Sequence, residues 1–154
     1  PTKEETTQIY EARQAIENAV ITILVNKHQS QNLDLSAIDD LISEEKRLHN
    51  TSQNDEHTKL SCDFHLTLAE LCGNKYIVES LKPLIPLSTL AASVYSNPES
   101  SFCSYAEHSD LIQAIKSNDL NRASRSIKKH LDNCVKSLDF KKTIRNRSYS
   151  NIFS

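Results

Sequence analysis

The chain is poor in the residues that reverse a β-sheet: Gly73 is the only glycine among 154 residues, and there are four prolines. Because β-hairpins depend on glycine-containing turns, this scarcity argues against a β-rich fold and favours helices. No apolar run approaches the roughly 20 residues that span a bilayer, and the N-terminus has no apolar stretch of the kind found in secretory signals. We therefore expect one all-α domain, cytoplasmic and without a membrane segment.

The chain also lacks a C-x-x-C pair, and its four cysteines lie in or beside apolar patterns: Cys62, Cys72, Cys103 and Cys134. Buried reduced thiols are therefore favoured over disulfides. Residues 141–154 carry four basic side chains and no acid, which leaves 14 basic and 20 acidic residues in the remainder. An acidic body repels phosphate backbones, so this chain alone is a poor candidate for binding duplex DNA. The predicted organisation is a bundle over 1–142 and a basic polar tail over 143–154.

Apolar residues recur at steps of three and four along most of the chain, which predicts amphipathic helices. In the first helix, residues 5–27, the pattern places Arg13 and Glu17 between the apolar positions, on the polar face. Pro83 and Pro86 should kink or split an apolar segment at 75–95. Three further helices are predicted at about 34–50, 102–116 and about 120–142. A fourth ends at Gly73. The pattern predicts an antiparallel bundle of six or seven helices.

Three of the six histidines lie on or beside buried stripes and should point inward: His65, His108 and His130. They fall on three different predicted helices, where unpartnered buried imidazoles would cost several kcal/mol of desolvation. A shared metal ion would remove that cost, and three ordinary core histidines are the alternative. The chain has no H-E-x-x-H motif and no Glu-x-x-His, so a di-iron centre is excluded and a mononuclear site is the metal-binding alternative that remains.

Several segments in order resemble the FCD ligand-sensing domain, the C-terminal domain of one branch of GntR-type bacterial transcription regulators. They are YEARQAIE at 10–17, FHLTLA at 64–69 followed by Gly73 and Asn74, and HSDLIQAI at 108–115, then Asn118, Asp119, Ala123 and His130. The resemblance covers about 9–138. It implies a helical bundle that often holds one divalent metal through an aspartate and three histidines.

The resemblance assigns the histidine ligands to His65, His108 and His130, the same three that periodicity turns inward. The family aspartate lies four residues before the first histidine, and here that position is Ser61. A nitrogen-rich site without a carboxylate suits zinc or nickel better than magnesium or calcium. Some family members bind their effector without metal, so a metal-free sensor stays open.

The resemblance also implies a small organic acid as effector, with Arg13 as the candidate partner of its carboxylate and Asn74 as a weaker neighbour. A surface salt bridge between Arg13 and Glu17 is the alternative role of this arginine. The family functions as homodimers that bind DNA through an N-terminal winged helix-turn-helix domain, which we expect to be absent from this chain. Two competing functions are a structural or interaction bundle and a metal-dependent enzyme; the enzyme is disfavoured because only Asp63 or Glu107 could act as general acid or base.

Overall fold

A computed structural model of the chain describes residues 1–96 and 104–141. The seven helices in these ranges are α1 Lys3–Gln31, α2 Ser36–Leu48, α3 Asn54–Cys72, α4 Lys75–Leu81, α5 Leu84–Tyr95, α6 Tyr105–Lys116 and α7 Leu120–Lys136. The prediction of an all-α bundle is confirmed. The predicted loop at 97–101, the start of the predicted helix at Phe102, Cys103 and the tail at 143–154 lie outside the described residues.

Helix α1 runs through the middle of the bundle and contacts α3, α4, α5, α6 and α7. A capping box begins it: the Thr2 hydroxyl accepts the Glu5 amide, and the Glu5 carboxylate accepts the Thr2 amide. The placement of Arg13 and Glu17 on a polar face is wrong, because both are buried. Since α1 has neighbours on several sides, the apolar residues flanking this pair are half-buried, and the pair itself faces the interior.

Asparagine takes the place of the missing glycines at several helix ends. Asn32 after α1, Asn50 after α2 and Asn118 before α7 adopt φ values of 50°, 70° and 55°, in the left-handed region that asparagine tolerates better than most residues. Gly73 ends α3 at φ 78°. A Cβ at Gly73 would lie 2.7 Å from the Lys27 ammonium nitrogen, which ends a flexible side chain and can move, so it is the backbone conformation that requires this glycine.

The apolar segment at 75–95 divides into α4 and α5, as its prolines predict. Pro83 precedes α5, and Pro86 lies in its first turn, where a helix needs no amide donor. The expectation of no bilayer-length apolar segment needs correction: Lys75–Tyr95 has 21 residues, and an 18-residue window within it has a mean hydropathy of 1.2, enough by length and composition to cross a membrane. This is weak grounds for a membrane protein, because the segment is two helices that contact α1 and α3.

The bundle encloses an apolar core that surrounds a small polar cluster. Helices α2, α3, α6 and α7 are joined by α2–α3, α2–α6 and α6–α7 contacts, and α1 packs against α3, α6 and α7. The core side chains with almost no exposure include Leu24, Phe64, Leu111, Ile112, Ile127 and Leu131. The polar side chains buried with them are those of the candidate site.

Candidate metal centre

Three histidines from three helices meet in the interior, as helical periodicity predicts. His65 on α3, His108 on α6 and His130 on α7 are each at most 3% exposed. The Nε2 atom of His130 lies 3.3 Å from Nε2 of His65 and 3.3 Å from Nε2 of His108. One ring nitrogen from each histidine lies within 4.8 Å of the other two, so the three could hold a metal ion.

Each imidazole is oriented by its own carboxylate, which contacts the ring nitrogen that faces away from the cluster. The Nδ1 contacts are His65 with Glu17 at 2.6 Å, His108 with Glu45 at 2.8 Å and His130 with Glu107 at 2.8 Å. A metal-binding histidine commonly donates its second N–H in this way, which fixes the tautomer and raises the basicity of the metal-facing nitrogen. The carboxylates come from α1, α2 and α6, so much of the bundle takes part in orienting the rings.

The contact between Glu17 and His65 shows which group carries charge. Burial would raise the pKa of Glu17, but Arg13 and His65 outweigh it and lower the pKa to about 2. Burial lowers the pKa of His65 to about 3, although Glu17 acts in the opposite direction. At neutral pH the carboxylate is therefore ionised and the imidazole neutral, so Nδ1–H donates to Glu17 and the Nε2 lone pair faces the cluster.

Arg13 contacts the carboxylate oxygen of Glu17 that does not face His65. Its Nε donates to Glu17 Oε1 at 2.8 Å, and its Nη1 donates to the Ser88 hydroxyl at 2.9 Å. Burial would lower the pKa of the guanidinium, but the charges of Glu17, Tyr10 and Cys134 leave it raised. The pair is buried, so it is not the weak surface salt bridge considered above; a contact between Arg13 and an effector stays a prediction.

The carboxylate of Glu107 is the one that reaches toward solvent. Its side chain is 24% exposed, whereas those of Glu17 and Glu45 are 5% and 0% exposed. Burial would raise the pKa of Glu107, but hydrogen bonds from His130 and Asn133 lower it. Glu45 is held differently, because its Oε1 is buried with no hydrogen-bond partner among the described residues. Glu45 is thus held by its hydrogen bond with His108.

The arrangement presents nitrogen lone pairs to one another. A neutral ring that donates its Nδ1–H to its carboxylate leaves Nε2 as an acceptor facing the other rings. The ring of His108 also stacks on Phe64, with centroids 3.8 Å apart and planes 11° from parallel, so the ring has little freedom to turn away. Mutually facing acceptors in a dry interior are suited to a cation.

The remaining predicted residues lie in different settings. Ser61 is buried on α3, one turn before His65. Asn74 is exposed, and its side chain caps α4 by accepting the amides of Tyr76 and Ile77, which is a turn role. Of the two carboxylates considered as acid or base, Asp63 pairs with Lys59 at the surface and Glu107 contacts His130.

Sequence reasoning missed Glu17 and Glu45. The helical pattern places Glu17 on the polar face and does not single out Glu45, because charged residues in amphipathic helices usually face solvent. A signal existed for Glu17: the residues Tyr10, Arg13, Glu17, Val20 and Leu24 follow one another at steps of three and four, and all are buried. A similar signal existed for Glu45, which lies seven residues after Ile38 and three before Leu48, both buried, whereas its neighbour Glu44 is exposed.

An all-α bundle with a buried three-histidine cluster defines a class of small helical proteins whose interior could hold a metal ion. Within that class, the family model described as FCD domain matches residues 8–133, so the chain belongs to the FCD family, as the resemblance indicated. No curated protein matches the chain. Membership makes the chain a regulatory, effector-binding domain of the kind found in GntR-type regulators, which bind DNA through another domain.

Proposed function

We propose that this chain is the effector-sensing domain of a cytoplasmic transcription regulator, holding one divalent metal through His65, His108 and His130. The observation that carries the proposal is the convergence of the three Nε2 atoms, each ring being held from behind by a carboxylate. Two nitrogens bound to a tetrahedral zinc at about 2.0–2.1 Å lie roughly 3.3–3.4 Å apart. The two closest Nε2 separations, both 3.3 Å, agree with that spacing.

The charges around the cluster favour a divalent ion. Glu17, Glu45 and Glu107 contribute three formal negative charges, and Arg13 contributes one positive charge in contact with Glu17. The excess of two negative charges in a buried region is costly unless a cation compensates it. Three imidazoles suit zinc or nickel, whereas magnesium and calcium prefer oxygen ligands.

A small organic acid is the effector that fits this centre. A metal held by three neutral imidazoles keeps its positive charge and can accept a carboxylate oxygen at a further position. Arg13 is our candidate for a second contact, because its Nη1 bond to the Ser88 hydroxyl could be exchanged for one to the effector. Binding would shift the population of two arrangements of the regulator and so alter DNA binding, provided the effector has different affinities for the two.

Elemental analysis of the purified protein tests the metal directly, with His130→Ala and His57→Ala prepared alongside. His57 is a half-buried residue of α3 that is not in the cluster, so its replacement controls for the loss of an arbitrary histidine. We expect about one zinc or nickel per chain in the parent and in His57→Ala, and none in His130→Ala. A parent that stays metal-free after loading and desalting would contradict the metal and leave a metal-free sensor or a structural bundle.

Thermal denaturation then tests the effector class and separates sensing from catalysis. Acetate, succinate and citrate serve as probes with one, two and three carboxylates. At least one should raise the melting temperature of the metal-loaded parent, because a ligand that binds the native state stabilises it by mass action, and His130→Ala should lose the effect. Conversion of a bound probe to product would instead support the metal-dependent enzyme.

We also propose that the domain forms homodimers, supported by an apolar surface between α1 and α5. Leu87 and Leu90 are 41% and 51% exposed, and with Ile9 and Leu84 they border a groove of about 500 Å³. Exposed apolar patches of this kind are typical of interaction sites. Sedimentation equilibrium should give twice the chain mass for the parent and the single-chain mass for Leu87→Glu; a parent monomer at all concentrations would contradict the dimer.

A further inference from the structure

Cys134 lies next to the three-histidine cluster, and nothing above gives it a role. It is on α7, one turn after His130, and is 2% exposed. Its Sγ is 3.8 Å from Nε2 of His130, the atom that also lies closest to the other two histidines. It is a free thiol. His130 and Cys134 thus present two metal-binding side chains from one helix, four residues apart.

The separation between Cys134 and His130 suits two ligands of one tetrahedral ion. Zinc binds nitrogen at about 2.0–2.1 Å and thiolate sulfur at about 2.3 Å, so tetrahedral coordination separates an N and an S ligand by roughly 3.5–3.6 Å. The separation of 3.8 Å between Cys134 Sγ and His130 Nε2 is close to that value. The three imidazoles by themselves supply three of the four ligands that closed zinc sites require.

We propose that Cys134 is the fourth protein ligand, giving a centre with three histidines and one thiolate. The proposal rests on the metal site proposed above and deepens it. On binding, the S–H bond breaks, the proton passes to solvent and the sulfur lone pair forms the bond to the metal, with no change of oxidation state.

A thiolate changes which metals the centre prefers. Soft sulfur favours zinc over hard ions such as manganese or magnesium, and its negative charge strengthens binding beyond that of three neutral imidazoles. A carboxylate effector would then enter as a fifth ligand, because zinc can expand its coordination.

Cobalt substitution makes the sulfur visible. The metal-free parent, Cys134→Ser and the control Cys62→Ser are each titrated with Co²⁺, and absorption is recorded in the near ultraviolet, where thiolate-to-cobalt charge transfer occurs. Cys62 is a half-buried thiol on α3 that contacts Thr89 rather than the cluster. We expect a strong charge-transfer band in the parent and in Cys62→Ser, and none in Cys134→Ser.

The outcomes separate the thiolate from the metal site itself. Cobalt bound in the parent without the band, or a band that persists in Cys134→Ser, would overturn the thiolate and leave the three-histidine centre intact. Failure of cobalt and zinc to bind at all would overturn both proposals. If Cys134→Ser does not fold, X-ray absorption of the zinc-loaded parent decides: one sulfur at about 2.3 Å supports the proposal, and a shell of nitrogen and oxygen alone refutes it.

Discussion

The interior of this bundle contains two regions that are stabilised by different interactions, one by apolar packing and the other by hydrogen bonds to carboxylates. Around Leu24, Ile112 and Leu131, the side chains are apolar and almost fully buried, so their stabilisation comes from removal from water and close packing. Around His65, His108 and His130, each ring is held by a hydrogen bond to a carboxylate. The apolar region should contribute the same stability with and without metal, whereas the contribution of the polar cluster should depend on what occupies it.

The largest effect is expected from Leu24→Ala in the apolar region. Leu24 is 0% exposed, and removing it leaves a cavity, so the free energy of unfolding should fall by about 2–5 kcal/mol. The loss should be equal with and without zinc, because this residue belongs to the apolar region. Urea unfolding measures it, with Tyr76→Ala, 69% exposed on α4, as the near-neutral control. A loss that differs between the two metal states would show that the regions are coupled.

Removal of the metal should lower the free energy of unfolding by less than Leu24→Ala does, and it should act only through the polar cluster. At a free zinc concentration of about 100 times Kd, binding to the native state contributes about 2.7 kcal/mol. A chelator should therefore lower the melting temperature of the parent and leave that of His130→Ala unchanged. Equal melting temperatures of the zinc-loaded and chelated parent would contradict a role for metal in stability.

The difference between the regions also explains what the sequence could predict. Periodicity alone turned His65, His108 and His130 inward, because apolar neighbours at steps of three and four identify a buried face. The same reasoning placed Glu17 on the surface, since a charge is costly to bury unless it is paired. Its partners, Arg13 on its own helix and His65 on α3, are 4 and 48 positions away. The second separation is a tertiary contact that no local pattern contains.

Asp63 shows the converse: it is close to His65 in sequence but does not contact it. It is two residues before His65, and a carboxylate this close in sequence could be taken for part of the site. The structure directs it to Lys59 at the surface, 2.7 Å away. Two positions along a helix differ by about 200° in direction, so neighbours in sequence face opposite sides, and the distant Glu17 contacts His65 instead.

Two adjacent glutamates on α2, one in contact with the cluster and one at the surface, give the sharpest comparison. Glu45 is fully buried against His108, whereas Glu44 is about half exposed and pairs with Arg47. Glu45→Gln keeps an oxygen that can accept the Nδ1–H but removes the charge that makes Nε2 of His108 more basic. Metal affinity should fall roughly 10–100-fold, which is about 1.4–2.7 kcal/mol.

Glu44→Gln provides the matched control, since it makes the same chemical change one residue away on the exposed side. Its affinity for zinc should equal that of the parent, because an exposed ion pair contributes little and does not contact the cluster. Competition with a chromophoric chelator measures both variants on folded protein. Equal losses in the two variants would mean that overall charge sets the affinity. No loss in Glu45→Gln would mean that His108 is oriented by its stacking on Phe64 rather than by the carboxylate.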